Sequence, residues 1–71
     1  MVNISSIGIK ISELRKRKGV TQEEMANTIG TSAQAISKWE CGKNYPDIEL
    51  LPIIADYFDI SVDSLFQLTP I

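Results

Sequence analysis

Apolar residues recur three and four positions apart along most of this chain, which is the spacing of helices with one buried face. Ile7, Ile11 and Leu14 share such a face, with Ser5 or Ser6 placed to cap the helix start and Gly19 placed to close its end. Thr21 and Glu24 then stand at capping-box spacing: the threonine oxygen takes one orphan amide and the glutamate reaches back to another. A second helix therefore begins beside Gln22, buries Met25, Ala26 and Ile29, and ends at Gly30. Ser32 caps a third helix, whose Ile36 and Trp39 face inward, with Trp39 as a core anchor. Lys43-Asn44-Tyr45-Pro46 is turn-prone, after which Asp47 is placed to cap a stripe of Leu50, Leu51, Ile54, Ala55 and Phe58. Ser61 caps a last short helix, with Asp63 in its first turn and Val62, Leu65 and Phe66 inward. The pattern predicts an all-α chain of five helices and no strand, a single domain over residues 1–71.

Two places resist the pattern. Pro52 lies within the fourth stripe, and proline in a helix interior is unfavourable by about 3 kcal/mol. Its nearness to the start softens that penalty, because first-turn amides have no intrahelical partner to lose. Met1–Ile4 forms a short apolar tail, and Gln67–Ile71 is expected to be unstructured or to depend on a partner, with Pro70 barring regular helix.

Residues 21–42 carry the chemistry. Two short helices joined at a tight turn, with small Ala26 where they cross, form a helix-turn-helix pattern. The outer face of the second is left with Ala33, Gln34, Ser37 and Lys38. Gln34 suits the N6/N7 edge of adenine, and Lys38 reaches guanine O6/N7 or a phosphate; either side chain can instead be solvated. Ala33 offers only a methyl contact to thymine. Ser37 and Ser32 can touch base or phosphate, although Ser32 is engaged first as a cap. Gln22, at the start of the first motif helix, can hold a phosphate with its amide and the free N–H groups beside it.

These residues resemble the helix-turn-helix domains of phage Cro and repressor proteins and their bacterial relatives, the XRE family. The resemblance covers about residues 7–66, through Ile11, Leu14-Arg15, Gly19 to Ala26, Gly30, Ile36 to Glu40, Gly42, Pro46-Asp47, Leu50, Ile54-Ala55, Phe58, Ser61, Asp63 and Leu65. It implies a compact five-helix bundle of the lambda-repressor-like DNA-binding type, with one helix running through Pro52. It implies further that Arg15 pairs with Glu40 and can lean toward a phosphate, and that Gln22, Lys43 and Asn44 contact phosphates. The function it implies is sequence-specific binding of double-stranded DNA for transcriptional regulation, mostly repression, with the helix of about residues 32–40 in the major groove. Ala33 departs from the polar residue common at its place in the phage repressors, and Cys41 from the asparagine usual before the glycine.

Charge changes the picture. A net of −2 is unusual for a nucleic-acid binder, but all seven lysines and arginines lie in residues 1–43, which carry +3, whereas residues 44–71 carry five acids and no base. The basic half can neutralise phosphates while long-range attraction stays weak. Arg15-Lys16-Arg17-Lys18 fills the last turn of the first helix, either as a solvated cationic end that suits the macrodipole or as a phosphate contact. One cysteine and no histidine exclude an internal disulfide framework and argue against a protein-only metal site; no cofactor is expected, and Cys41 is read as inert. No signal sequence and no long apolar run are present, so a cytoplasmic protein is expected. Nothing assembles a nucleophile and base, so an enzyme is not expected.

The expected partner is a palindromic operator, with two copies on half-sites about 34–36 Å apart. Some of Phe66, Leu68 and Ile71 are expected to remain exposed in a monomer and to support a weak homodimer through the last helix and tail. The chain is read as either a minimal regulator or the N-terminal domain of a larger one. The alternative is an antitoxin-like or adaptor module that uses the acidic half to grip a basic protein.

Overall fold

A computed structural model describes residues 4–66, with side chains from Ile7 onward. Its elements are α1 (Ile4–Lys18), α2 (Gln22–Ile29), α3 (Ala33–Glu40), a 3-10 turn (Ile48–Leu50), α4 (Leu51–Tyr57) and α5 (Val62–Leu65). All five α-helices are present, and no strand occurs among the described residues.

Local chemistry sets most of the boundaries. The Thr21 hydroxyl accepts from the Glu24 amide at 3.0 Å and the Glu24 carboxylate accepts from the Thr21 amide at 2.8 Å, which completes the capping box. Ser32 Oγ accepts from the Ala35 amide and Ser61 Oγ from the Ser64 amide, capping α3 and α5. Helices α1 to α4 share one mode of ending, in which the amide beyond a left-handed residue donates to the carbonyl five positions back. The donors are Val20, Thr31, Lys43 and Ile60. Three of the left-handed residues are glycines, but the fourth is Asp59 at φ 59°.

A left-handed backbone brings Cβ against the following carbonyl, a strain of roughly 1–2 kcal/mol that aspartate relieves only in part. Asp59→Gly is expected to raise stability by about 0.5–1 kcal/mol in denaturant titrations, after the greater freedom of glycine in the unfolded chain is allowed for. An unchanged or lower midpoint would show that the aspartate side chain stabilises the turn.

Two expected helix starts are corrected. The first helix is already under way at Ile4, so Ser5 and Ser6 stand inside its first turn and neither is the cap; Ile4 belongs to the helix and not to a tail. The fourth helix is not continuous. Asp47 makes no side-chain cap hydrogen bond and leads into the 3-10 turn, after which α4 begins with Pro52 in its first turn. Moving the helix start to Leu51 removes the penalty for proline, because no i−4 bond is asked of it. Met1–Asn3 and Gln67–Ile71, with Leu68, Pro70 and Ile71, lie outside the described residues.

The core joins all the α-helices: Ile7 and Ile11 of α1, Met25, Ala26 and Ile29 of α2, Ile36 and Trp39 of α3, Ile54 and Ala55 of α4, and Leu65 of α5. Leu14, Leu50, Leu51, Phe58, Val62 and Phe66 are partly buried against it. Lys10, a residue type that gives no signal for burial, is only 4% exposed on α1. Gly8 explains how α1 comes so close to α3. A Cβ at this position would lie 2.0 Å from the Trp39 carbonyl oxygen, so the absent side chain is what lets the two backbones meet.

Candidate nucleic-acid interface

Helix α3 has two faces with separate tasks. Ile36 and Trp39 are buried, whereas Gln34 and Lys38, one turn apart, are exposed side by side. Cys41 is also exposed and follows on that same face. Ser37 is half-buried, and Ser32 is exposed with its hydroxyl committed as the N-cap. Past the end of α3, Lys43 and Asn44 are both exposed. The structure thus brings Gln34, Lys38 and the Lys43-Asn44 turn to solvent as an amide, two ammonium groups and a second amide.

Behind the start of α3 lies a shallow hollow lined by Arg15, Gly19, Val20, Thr21, Gln22, Glu23 and Ala33. A small residue at Ala33 helps to leave it open. Two of its lining residues, Arg15 and Gln22, meet Glu40 in a three-residue polar cluster. Arg15 Nε donates to Glu40 Oε2 at 2.7 Å and Arg15 Nη2 to Glu40 Oε1 at 3.2 Å, a two-point pairing between the ends of α1 and α3. Arg15 Nη1 donates to the Val20 carbonyl at 3.0 Å, which fixes the guanidinium against the α1–α2 turn. Gln22 Nε2 donates to the same Glu40 Oε1 at 3.0 Å. One carboxylate therefore ties together three helices.

Burial strengthens this cluster, since the Arg15 and Glu40 side chains are only 14% and 9% exposed. The hydrogen bond and charge of Glu40 hold the Arg15 pKa above its ordinary value against the opposing effect of burial, so the guanidinium remains a permanent cation. The next cations are exposed: Lys16 and Arg17 are solvated, and Lys18 Nζ sits 4.9 Å from the Tyr57 ring centroid as a cation–π contact between α1 and α4. Lys18 is thereby drawn toward the protein surface.

The pairing implied for Arg15 and Glu40 is present, but the role of Glu40 toward Gln22 was not legible beforehand. The sequence places Gln22 for a phosphate, whereas in the structure its amide already donates within the protein. An amide group has a second proton, so this bond leaves one donor available. No cluster able to hold a metal ion occurs among the described residues, and none of the described helices is long and apolar enough to cross a membrane.

A capped helix, a tight glycine turn and a second helix with a polar outer face, all braced by α1, define a helix-turn-helix domain. The chain belongs to the helix-turn-helix family of Cro/repressor type: the Helix-turn-helix family model matches residues 11–65. It is similar to the transcriptional activator BcrR of Enterococcus faecalis, with 45% identity over 58 residues, which cover 82% of this chain and 28% of that protein. The cryptic phage CTXphi transcriptional repressor RstR of Vibrio cholerae is 39% identical over 56 residues, covering 79% of this chain and 50% of the repressor. Among solved structures, the P22 c2 repressor in complex with a synthetic operator superposes with a TM-score of 0.81 at 30% identity, covering 86% of this chain and 92% of that one. The chain spans about half or less of the length of these two curated relatives.

Proposed function

We propose that this chain binds double-stranded DNA sequence-specifically and controls transcription, with α3 in the major groove. The observation that carries the reading is the exposed Gln34–Lys38 pair on a helix whose opposite face is locked into the core. Gln34, Lys38, Ala33 and Ser37 read base edges, with Ser32 at the margin as the cap. Gln22, Lys43, Asn44 and, through its outer edge, Arg15 fix the register on phosphates. The similar activator and repressors support regulation without fixing its sign; repression is the direction proposed here, for a cytoplasmic protein.

Two copies on a palindromic operator supply the specificity that a few contacts per copy cannot. The proposed contact is a weak homodimer through the last helix and tail. Phe66 packs against the core and is not freely exposed, but it lines an apolar hollow with Ile7, Pro46, Leu51 and the exposed Tyr45 and Ile48. Apolar surface is thus continuous outward from the last helix.

The test is a pair of substitutions measured by fluorescence anisotropy on operator and random duplexes across salt. Gln34→Ala is expected to weaken the preferred site by about 1–3 kcal/mol and leave random DNA unaffected. Lys43→Ala is expected to weaken every sequence and to lower the salt slope by about one. Equal losses on all duplexes for both variants would overturn the assigned roles. Failure of the parent to bind any duplex at low salt would favour the protein-interaction alternative.

A further inference from the structure

We propose that Glu40, an acidic residue at the proposed DNA surface, is a positioning residue that aims Gln22 at a phosphate; this rests on the DNA-binding reading above. A carboxylate near a polyanion is repulsive unless it is neutralised, and here Arg15 neutralises it from behind through two hydrogen bonds. The remaining capacity of Glu40 Oε1 is turned toward Gln22, whose Nε2 it holds at 3.0 Å. With one amide proton bound to Glu40, the Gln22 amide plane is fixed. Its second proton is then the donor offered to a phosphate.

The order of groups is guanidinium, carboxylate, amide and phosphate, each donating to or accepting from the next. Guanidinium and amide both donate to the carboxylate, and the amide then donates onward, so the arrangement fixes the direction of the amide without strengthening it as a donor. It also removes rotamer freedom from Gln22 before binding, which lowers the entropic penalty of the contact. Glu40 is well placed for this because it is largely buried and held from two other helices. The bond spans 18 residues of sequence, and nothing in local spacing announces it.

A double-substitution cycle on duplex affinity, run below the melting range of every variant, tests the idea. Glu40→Gln keeps the shape but puts an NH2 group where an oxygen accepted, so a donor must face either Arg15 or Gln22. Gln22→Ala is expected to weaken parent binding about tenfold, the effect of one hydrogen bond to a charged group, and to have less than about a twofold effect in the Glu40→Gln background. A tenfold loss in both backgrounds, with Lys43→Ala still weakening binding, would overturn the positioning role and leave the DNA reading intact. If no variant and not the parent binds duplex, both fall together. NMR of the unsubstituted protein gives a second reading that needs no folded variant. One Gln22 side-chain amide proton should exchange slowly in the free protein, and the other should shift on addition of duplex; two equivalent, rapidly exchanging protons would overturn the proposal.

Discussion

Replacing Gly8 with alanine is expected to destabilise the chain by about 2–3 kcal/mol, even though alanine is the better helix former by about 1 kcal/mol. The added methyl would lie 2.0 Å from the Trp39 carbonyl oxygen and 3.1 Å from its carbon, and both are backbone atoms that cannot rotate away. Helix α1 must then tilt or slide off α3, which opens the packing of Ile7 and Ile11 against Ile36 and Trp39. A chain of 71 residues has roughly 4–10 kcal/mol of net stability to lose from, so the effect is a large fraction of the total. The melting temperature should fall by about 10–20 °C. Gly30→Ala serves as the contrast: its Cβ would meet nothing within 4 Å, so the loss should be confined to the strain of the left-handed backbone, about 1–2 kcal/mol. Equal melting of parent and Gly8→Ala would mean that α1 does not approach α3 as closely as described.

Glu40→Ala is expected to be comparably damaging, by about 3 kcal/mol. Removing the carboxylate leaves the Arg15 guanidinium largely buried, with only the Val20 carbonyl as partner, and frees Gln22. The loss comes mainly from the stranded charge and not from the net worth of the ion pair. Arg15→Met combined with Glu40→Ala should therefore recover a good part of it, because the uncompensated cation is gone. Urea titrations of the two variants check this. If the double variant is less stable than Glu40→Ala by a further 2 kcal/mol, the guanidinium stabilises through contacts other than this pair.

What could be read in advance divides by distance along the chain. The capping box at Thr21 and Glu24, the caps at Ser32 and Ser61 and the glycine ends are interactions within a few residues, and spacing alone reveals them, although the same spacing misplaces caps at Ser5 or Ser6 and at Asp47. The core faces of α2 and α3 follow from periodicity for the same reason. Gly8 is the opposite case: within its own helix it looks like a weak point, and only the approach of Trp39, 31 positions later, gives it a purpose. Arg15–Glu40 came from resemblance and not from spacing, and Gln22–Glu40 from neither. Pro52 by itself signals a break and the resemblance implies none; the structure places the break just before it. Asp59 gave no sign of its left-handed backbone, because the usual glycine signal is missing there.

The separation of faces on α3 has a consequence for how such a domain changes its target. Ile36 and Trp39 fasten the helix from one side and Glu40 from its end, while Gln34 and Lys38 take no part in holding it. The two sets interleave in sequence but one is buried and the other exposed. Side chains at the outward positions can thus be exchanged as type in a fixed frame is exchanged, giving new recognition without renegotiating the fold. An eight-residue helix is too short to persist alone in water, so the frame that permits this rewriting belongs to the other four helices.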